Sequence, residues 1–209
     1  MIPLVLALAG IGFGAVYFAA RRRVVGKTIS YTTPSSASGG GYVTTSLIPK
    51  GFTAEIIASA VKWAKIRGVP AQEILATIYV ESRGNPRAWA NLSTEDSRGL
   101  MQVNVNAWAS KLQARGYSLD DLWDIDKNIE IGSEIYANYR QTVQNLIAQS
   151  GVPQSAPIDV LTRLYYKGPA YVKKKILAGE DASRPYRDAE KAVNNWKVAM
   201  DLVRGVTSA

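Results

Sequence analysis

The chain of 209 residues contains no cysteine and no histidine. Without cysteine it can form neither disulfides nor zinc–thiolate sites, and it has no thiol nucleophile. The absence of histidine removes Ser-His-Asp hydrolysis and nearly all zinc peptidase chemistry. We therefore expect no metal and no cofactor. Acid–base catalysis would have to use a carboxylic acid, a lysine or a tyrosine whose pKa is shifted by its surroundings.

The composition is that of a basic globular protein. Hydrophobic residues make up 47% and charged residues 20% of the chain, so disorder throughout is not expected. The length suits one domain with an appendage. The net charge of +8 favours a polyanionic partner such as nucleic acid, an anionic membrane or a bacterial cell wall. A specific nucleic-acid-binding module is disfavoured because the basic residues are dispersed and form no recognised binding motif.

The first twenty residues carry no charge and are followed directly by Arg21, Arg22 and Arg23. About twenty apolar residues in a helix can span a bilayer core of roughly 30 Å. A cleaved signal peptide would carry its positive charges before the apolar run, and a buried core helix would show a polar face. The pattern predicts a single transmembrane anchor over residues 1–23.

The charge pattern also bears on membrane orientation and location. Under the positive-inside rule, Arg21 to Arg23 would hold the rest of the chain on the inner side of the membrane. The membrane expected is a bacterial inner membrane or the membrane of a phage particle. Residues 24–50 are rich in Ser, Thr, Gly and Pro, which predicts a flexible linker. A catalytic domain is then expected over residues 51–205.

From Phe52 onward the hydrophobic period is helical, which predicts a mainly α fold. The predicted helix starts are a Thr53 cap, Pro70, an Asp126 cap, Pro157, Pro169 and Pro185. Gly68 and the Gly84-Asn85-Pro86 turn are predicted to end the first two helices. Residues 88–104 lack a helical period and predict a small hairpin or irregular segment.

Glu81 stands at the end of the second predicted helix, three residues after Ile78 and seven after Ile74. This spacing turns its carboxyl group toward the core. A carboxylic acid among apolar neighbours has a raised pKa and can stay protonated, as a general acid requires. On spacing alone, a glutamate pointing into solvent from a frayed helix end is the alternative.

Four segments of the chain match motifs that occur in the same order in one family. They are ESRGNPRA at 81–88, SRGLMQVN at 97–104, DKNIEIGSEIY at 126–136 and LYYKGP at 164–169. They resemble the E-S-x-x-N-P-x-A, G-L-M-Q, D-x-x-x-N-I-x-x-G-x-x-Y and A-Y-N-x-G-P motifs of the soluble lytic transglycosylases and their goose-type lysozyme relatives. The resemblance implies a lysozyme-like α-helical domain. One departure is Tyr166, which stands where the family has asparagine.

The resemblance also implies an activity on peptidoglycan glycan strands. Glu81 would protonate the glycosidic oxygen between N-acetylmuramic acid and N-acetylglucosamine, and would then accept the proton of the C6 hydroxyl as that group attacks C1. The product is a 1,6-anhydro sugar, and one carboxyl group serves as both acid and base. By the same resemblance, Ser82, Gln102 and Tyr165 would surround Glu81. Met101 and Asn104 complete the predicted substrate-binding set, with Met101 on the floor of the cleft.

Two other interpretations stay open at this stage. A hydrolytic lysozyme of the same fold would use a second carboxylate to hold or activate water, for which Glu95 and Asp96 are the nearest candidates. A non-catalytic structural or injection protein on a membrane is kept open by the missing motif asparagine.

Overall fold

The computed structural model describes residues 48–92, 95–183, 187–204 and 206. The predicted anchor (1–23) and nearly all of the predicted linker (24–50) lie outside this range. Within the described residues, no helix combines the length and the apolar composition that crossing a membrane requires. Ile48, which falls within the predicted linker, is buried in the main core.

Helices dominate the described residues, as the sequence pattern predicts. Their bounds are α1 Ala54–Arg67, α2 Ala71–Ser82, α3 Val105–Ala114, α4 Ile125–Ser150, α5 Ile158–Lys167, α6 Pro169–Leu177 and α7 Arg187–Val203, with a 3-10 turn at Asp120–Trp123. A three-stranded antiparallel sheet lies between α2 and α3, with strands β1 Trp89–Leu92, β2 Glu95–Arg98 and β3 Val103–Asn104 in that order. The predicted hairpin at 88–104 is therefore present.

Local signals explain several helix ends. The Thr53 hydroxyl accepts a hydrogen bond from the backbone N–H of Ile56 at 3.2 Å, and Gly68 ends α1 in the left-handed conformation. The predicted Asp126 cap was wrong, because Asp124 caps α4 by accepting from the N–H of Lys127. Asp126 lies one position inside the helix, where its carboxylate binds the side chains of Ser59, Lys62 and Trp63 on α1.

Helix α2 is at the centre of the main core. Its residues from Glu73 to Tyr79 are all buried, and it packs against α7 and α1. The long helix α4 packs against α1 and α5, and α5 also contacts α6 and α7. This arrangement brings the C-terminal end of α2 next to α5, although the two helices are far apart in sequence.

Asn128 joins the sheet to α4. Its side-chain amide donates to the carbonyls of Arg98 and Leu122, both at 2.9 Å, and accepts from the N–H of Met101 at 2.8 Å. Gly99 makes this approach possible, since a Cβ at Gly99 would lie 2.2 Å from the Asn128 amide nitrogen. Asn128 is fully buried, so its three hydrogen bonds fix the turn that carries Met101 and Gln102.

Candidate active site

Glu81 lies in the last turn of α2 with its side chain 9% exposed. Its carboxylate faces two cations of α5. The Arg163 Nη1 atom is 2.6 Å from Oε1, and the Lys167 Nζ atom is 3.2 Å from Oε1 and 3.3 Å from Oε2. Arg163 and Lys167 are four residues apart, so both project from one face of α5. The candidate site is therefore a glutamate enclosed by two positive charges.

This environment corrects the expectation that apolar neighbours keep Glu81 protonated. Burial alone would raise its pKa, but the charges of Lys167 and Arg163, together with the hydrogen bond from Lys167, outweigh burial and lower the pKa from 4.5 to about 2. Glu81 is thus a carboxylate at neutral pH in the free protein. The inward orientation of Glu81 agrees with the helical spacing. Its ionised state differs from the protonated state that apolar neighbours were expected to produce.

The raised pKa belongs instead to a second buried glutamate on the same helix. Burial raises the pKa of Glu73 despite a 2.9 Å hydrogen bond from the Tyr136 hydroxyl and a 3.2 Å contact with Arg140 Nε. Glu73 is eight residues before Glu81, or about 12 Å along a helix that rises 1.5 Å per residue. Glu73 stabilises the packing of α2 on α4 and is not part of the candidate site.

Arg163 is the deepest member of the site. Its side chain is 1% exposed, and its guanidinium lies over the rings of Tyr166 and Trp196, with 5.4 Å and 5.8 Å to the ring centroids. Aromatic faces are favourable partners for a guanidinium that has lost its water. The residue spacing within α2 could not predict the contact between Glu81 and Arg163, because the two residues are more than eighty positions apart in sequence.

The structure places Tyr166 within the electrostatic influence of the Glu81 carboxylate. The Tyr166 hydroxyl donates to the Met101 carbonyl at 2.9 Å, and its pKa is raised by burial first and then by the negative charge of Glu81. Tyr165, which the motif comparison selected, is half-buried, and its ring lies edge-on to Tyr139 with centroids 5.2 Å apart. Among the residues that the structure describes, no hydrogen bond joins Tyr165 to Glu81.

The other predicted site residues contact mainly the backbone. The Ser82 hydroxyl donates to the Ile78 carbonyl at 3.0 Å and accepts from Gly84 N–H. The Gln102 amide donates to the carbonyls of Ala88 and Gly99, both at 2.9 Å.

Met101 and Asn104 have mainly structural contacts. Met101 is fully buried against Gly132, where an added Cβ would lie 2.5 Å from its sulfur, so it offers no surface to a substrate in this conformation. Asn104 is also buried and caps α3 by accepting from Ala107 N–H at 2.8 Å.

A mainly helical domain with a small sheet and an inward-facing glutamate at the end of a core helix is of the lysozyme-like class. Residues 59–177 match the Transglycosylase SLT domain family, and the chain belongs to that family. No curated protein sequence matches the chain significantly.

Among solved structures, the chain is similar to an inactive mutant of the lytic transglycosylase Slt from Pseudomonas aeruginosa, with a TM-score of 0.55 and 18% identity. That likeness covers 72% of this chain and 24% of the Pseudomonas protein. The chain therefore spans about a quarter of the length of that protein, and the likeness concerns the fold.

Proposed function

We propose that this protein is a peptidoglycan lytic transglycosylase that cleaves the β-1,4 bond between N-acetylmuramic acid and N-acetylglucosamine. The observation that carries the proposal is the nearly buried Glu81 carboxylate at the end of α2, within a transglycosylase SLT domain. The Pseudomonas relative was made inactive by replacing a glutamate with glutamine, which supports a glutamate as the reactive group in this class of domain.

The proposed reaction uses Glu81 twice. In its protonated form it gives its proton to the glycosidic oxygen as the bond to C1 breaks, while the 2-acetamido group of the muramic sugar stabilises the positive charge at C1. The resulting carboxylate then accepts the proton of the C6 hydroxyl as that oxygen attacks C1. The 1,6-anhydro product forms without water, and Glu81 regains its proton.

Gln102 and the sheet offer groups that suit sugar recognition. The side-chain oxygen of Gln102 accepts no hydrogen bond from any residue that the structure describes, so it is available to the N–H of an acetamido group. Trp89 on β1 is 55% exposed, and its indole N–H is fixed by Asp96 at 2.9 Å. An exposed, oriented indole suits stacking on a sugar ring.

A hydrolytic lysozyme is the second candidate, and it would need another carboxylate for water. Asp96 accepts two 2.9 Å hydrogen bonds from Arg98 and one from Trp89, and hydrogen bonding from Arg98, which outweighs its slight burial, lowers its pKa. Glu95 accepts from the Ser97 hydroxyl at 2.8 Å. Because these contacts hold both carboxylates within the sheet, we favour the transglycosylase.

The non-catalytic alternative rests on two observations. Tyr166 replaces the motif asparagine, and the cations of α5 neutralise Glu81 in the free protein. A structural protein could retain such an ion pair for stability alone. Product analysis separates the three candidates.

The deciding experiment treats purified sacculi with the full-length protein and identifies the released fragments by mass spectrometry. We expect 1,6-anhydro ends. Reducing ends would establish a lysozyme, and an absence of fragments would establish a non-catalytic protein. Removing a general acid typically slows a reaction by about 10²–10⁴-fold. Because no second acid is proposed, Glu81→Gln should reduce fragment release by about a thousandfold or more. Glu55→Gln is the matched control, because Glu55 is exposed on α1.

We further propose that residues 1–23 anchor the domain to a membrane and that residues 24–47, the predicted linker up to the buried Ile48, tether it, for local opening of the wall by a bacterium or a phage particle. The support is the uncharged run before Arg21 to Arg23 and the Ser/Thr/Gly-rich composition that follows. The full-length protein should resist extraction from membranes by alkaline carbonate. A chain without residues 2–23 should appear in the soluble fraction, and equal partitioning of the two would refute the anchor.

A further inference from the structure

The two cations that face Glu81 differ in their freedom to move. The Arg163 side chain is 1% exposed and is covered by the rings of Tyr166 and Trp196, whereas the Lys167 side chain is 30% exposed. Lys167 is the last residue of α5 and precedes Gly168 and Pro169. Its flexible stem can leave the carboxylate without disturbing the core, and the packed arginine cannot.

The resting arrangement conflicts with the first step of the proposed reaction. A general acid must carry a proton, but Glu81 is a carboxylate while both cations contact it. Burial opposes this charge and is the largest single influence on Glu81. Removing one cation takes away part of the charge that offsets burial, so the pKa of Glu81 rises.

A glycan strand that binds at Glu81 would displace the ammonium group of Lys167. Lys167 is the more exposed of the two cations, so a sugar that approaches the carboxylate would meet the ammonium group before the guanidinium. Among described residues, the two cations in contact with Glu81 both lie on α5, and Tyr166 of the same helix is near enough for the charge of Glu81 to raise its pKa.

We propose that Lys167 is a positioning residue that holds Glu81 as an ion-paired carboxylate until a glycan strand displaces its ammonium group, upon which Glu81 takes up a proton from solvent and becomes the acid. Arg163 stays in place and orients the carboxyl group throughout. Lys167 thereby links the activation of Glu81 to binding of the glycan strand. The catalytic consequence of this inference rests on the proposed function. The effect of Lys167 on the ionisation of Glu81 rests on the ion-pair geometry alone.

The first test measures the pKa of Glu81 in the full-length protein by carbon NMR of the glutamate carboxyl groups, with Glu81→Gln identifying the resonance. Lys167→Met keeps the length of the side chain and removes its charge, so the pKa should rise by about 1 to 3, the effect of a nearby opposite charge. Lys167→Arg keeps the charge and should leave the pKa near its wild-type value. An unchanged pKa in Lys167→Met would overturn the proposal.

The second test adds a soluble chito-oligosaccharide, a chain of N-acetylglucosamine units, to the wild-type protein at saturating concentration. The pKa of Glu81 should rise on binding in the wild type and should rise less in Lys167→Met, in which the ammonium group is already absent. A bound oligosaccharide that leaves the wild-type pKa unchanged would contradict displacement of Lys167. Both tests proceed without turnover, so they stay decisive if the protein cuts no glycan.

The third test follows the pH dependence of kcat/KM on sacculi. Loss of the proton from Glu81 defines the alkaline limb, so Lys167→Met should move that limb to higher pH by the same amount as the pKa of the free protein. Lys167→Arg should not move it. A merely structural role of Lys167 would lower the rate at every pH without moving the limb, and that result would refute its link to catalysis. Absence of activity in the wild type would refute the proposed function, with the NMR tests unaffected.

Discussion

Replacement of Glu81 by glutamine is expected to destabilise the protein, because it leaves Arg163 buried without its counter-charge. The fall of the Glu81 pKa from 4.5 to about 2 corresponds to about 3 kcal/mol of stabilisation at neutral pH. Removing one partner of a buried ion pair costs about 3–5 kcal/mol. Both figures indicate that the free energy of unfolding falls by about 3 kcal/mol or more. For a chain of this size, a loss of about 3 kcal/mol lowers the melting temperature by roughly 6–12 °C.

The same loss should depend on pH in a defined direction. Because the pKa of Glu81 is depressed on folding, its contribution is complete above pH 4.5 and is lost as the pH falls toward 2. At pH 2.5 the wild type should exceed Glu81→Gln by less than about 1 kcal/mol. Neutral glutamine does not titrate, so the difference between the two proteins isolates this carboxylate.

The assay is urea unfolding of the full-length protein followed by tryptophan fluorescence, at pH 7 and at low pH. Glu55→Gln is the matched control, since it makes the same chemical change at an exposed position of α1 and should alter stability by at most about 1 kcal/mol. If Glu81→Gln is as stable as the wild type at pH 7, or more stable, the ion pair does not contribute as its geometry requires, and the reasoning fails.

Three further predictions concern residues around the site. Asn128→Ala leaves one N–H and two carbonyls without partners in the core, so urea unfolding should show a loss of about 3 kcal/mol or more, whereas the exposed Asn145→Ala should show almost none. Tyr166→Phe removes the hydrogen bond to the Met101 carbonyl and should cost about 1–3 kcal/mol of stability. Tyr165→Phe should instead lower fragment release from sacculi at unchanged stability, and equal release by this variant and the wild type would remove Tyr165 from the substrate-binding set.

Local sequence determined most of the helices and the identity of the central residue. Thr53 and Gly68 bound α1, Pro157 and Pro169 precede or open α5 and α6, and these signals act within one helical turn. Glu81 was found by its spacing from Ile74 and Ile78 and by the motif that it begins. Its inward orientation follows because a helix places residues three, four and seven apart on one face.

Only the tertiary structure decided the ionisation state of that glutamate. The Lys167 ammonium is 86 residues away from Glu81 in sequence, and no periodicity within α2 indicates which charges of α5 will face it. The packing of α5 also turns Tyr166 rather than Tyr165 toward the Met101 carbonyl and into the electrostatic influence of Glu81, because adjacent residues of a helix point about 100° apart. A pKa depends on every charge within a few ångströms, and those neighbours are determined by the packing of distant segments.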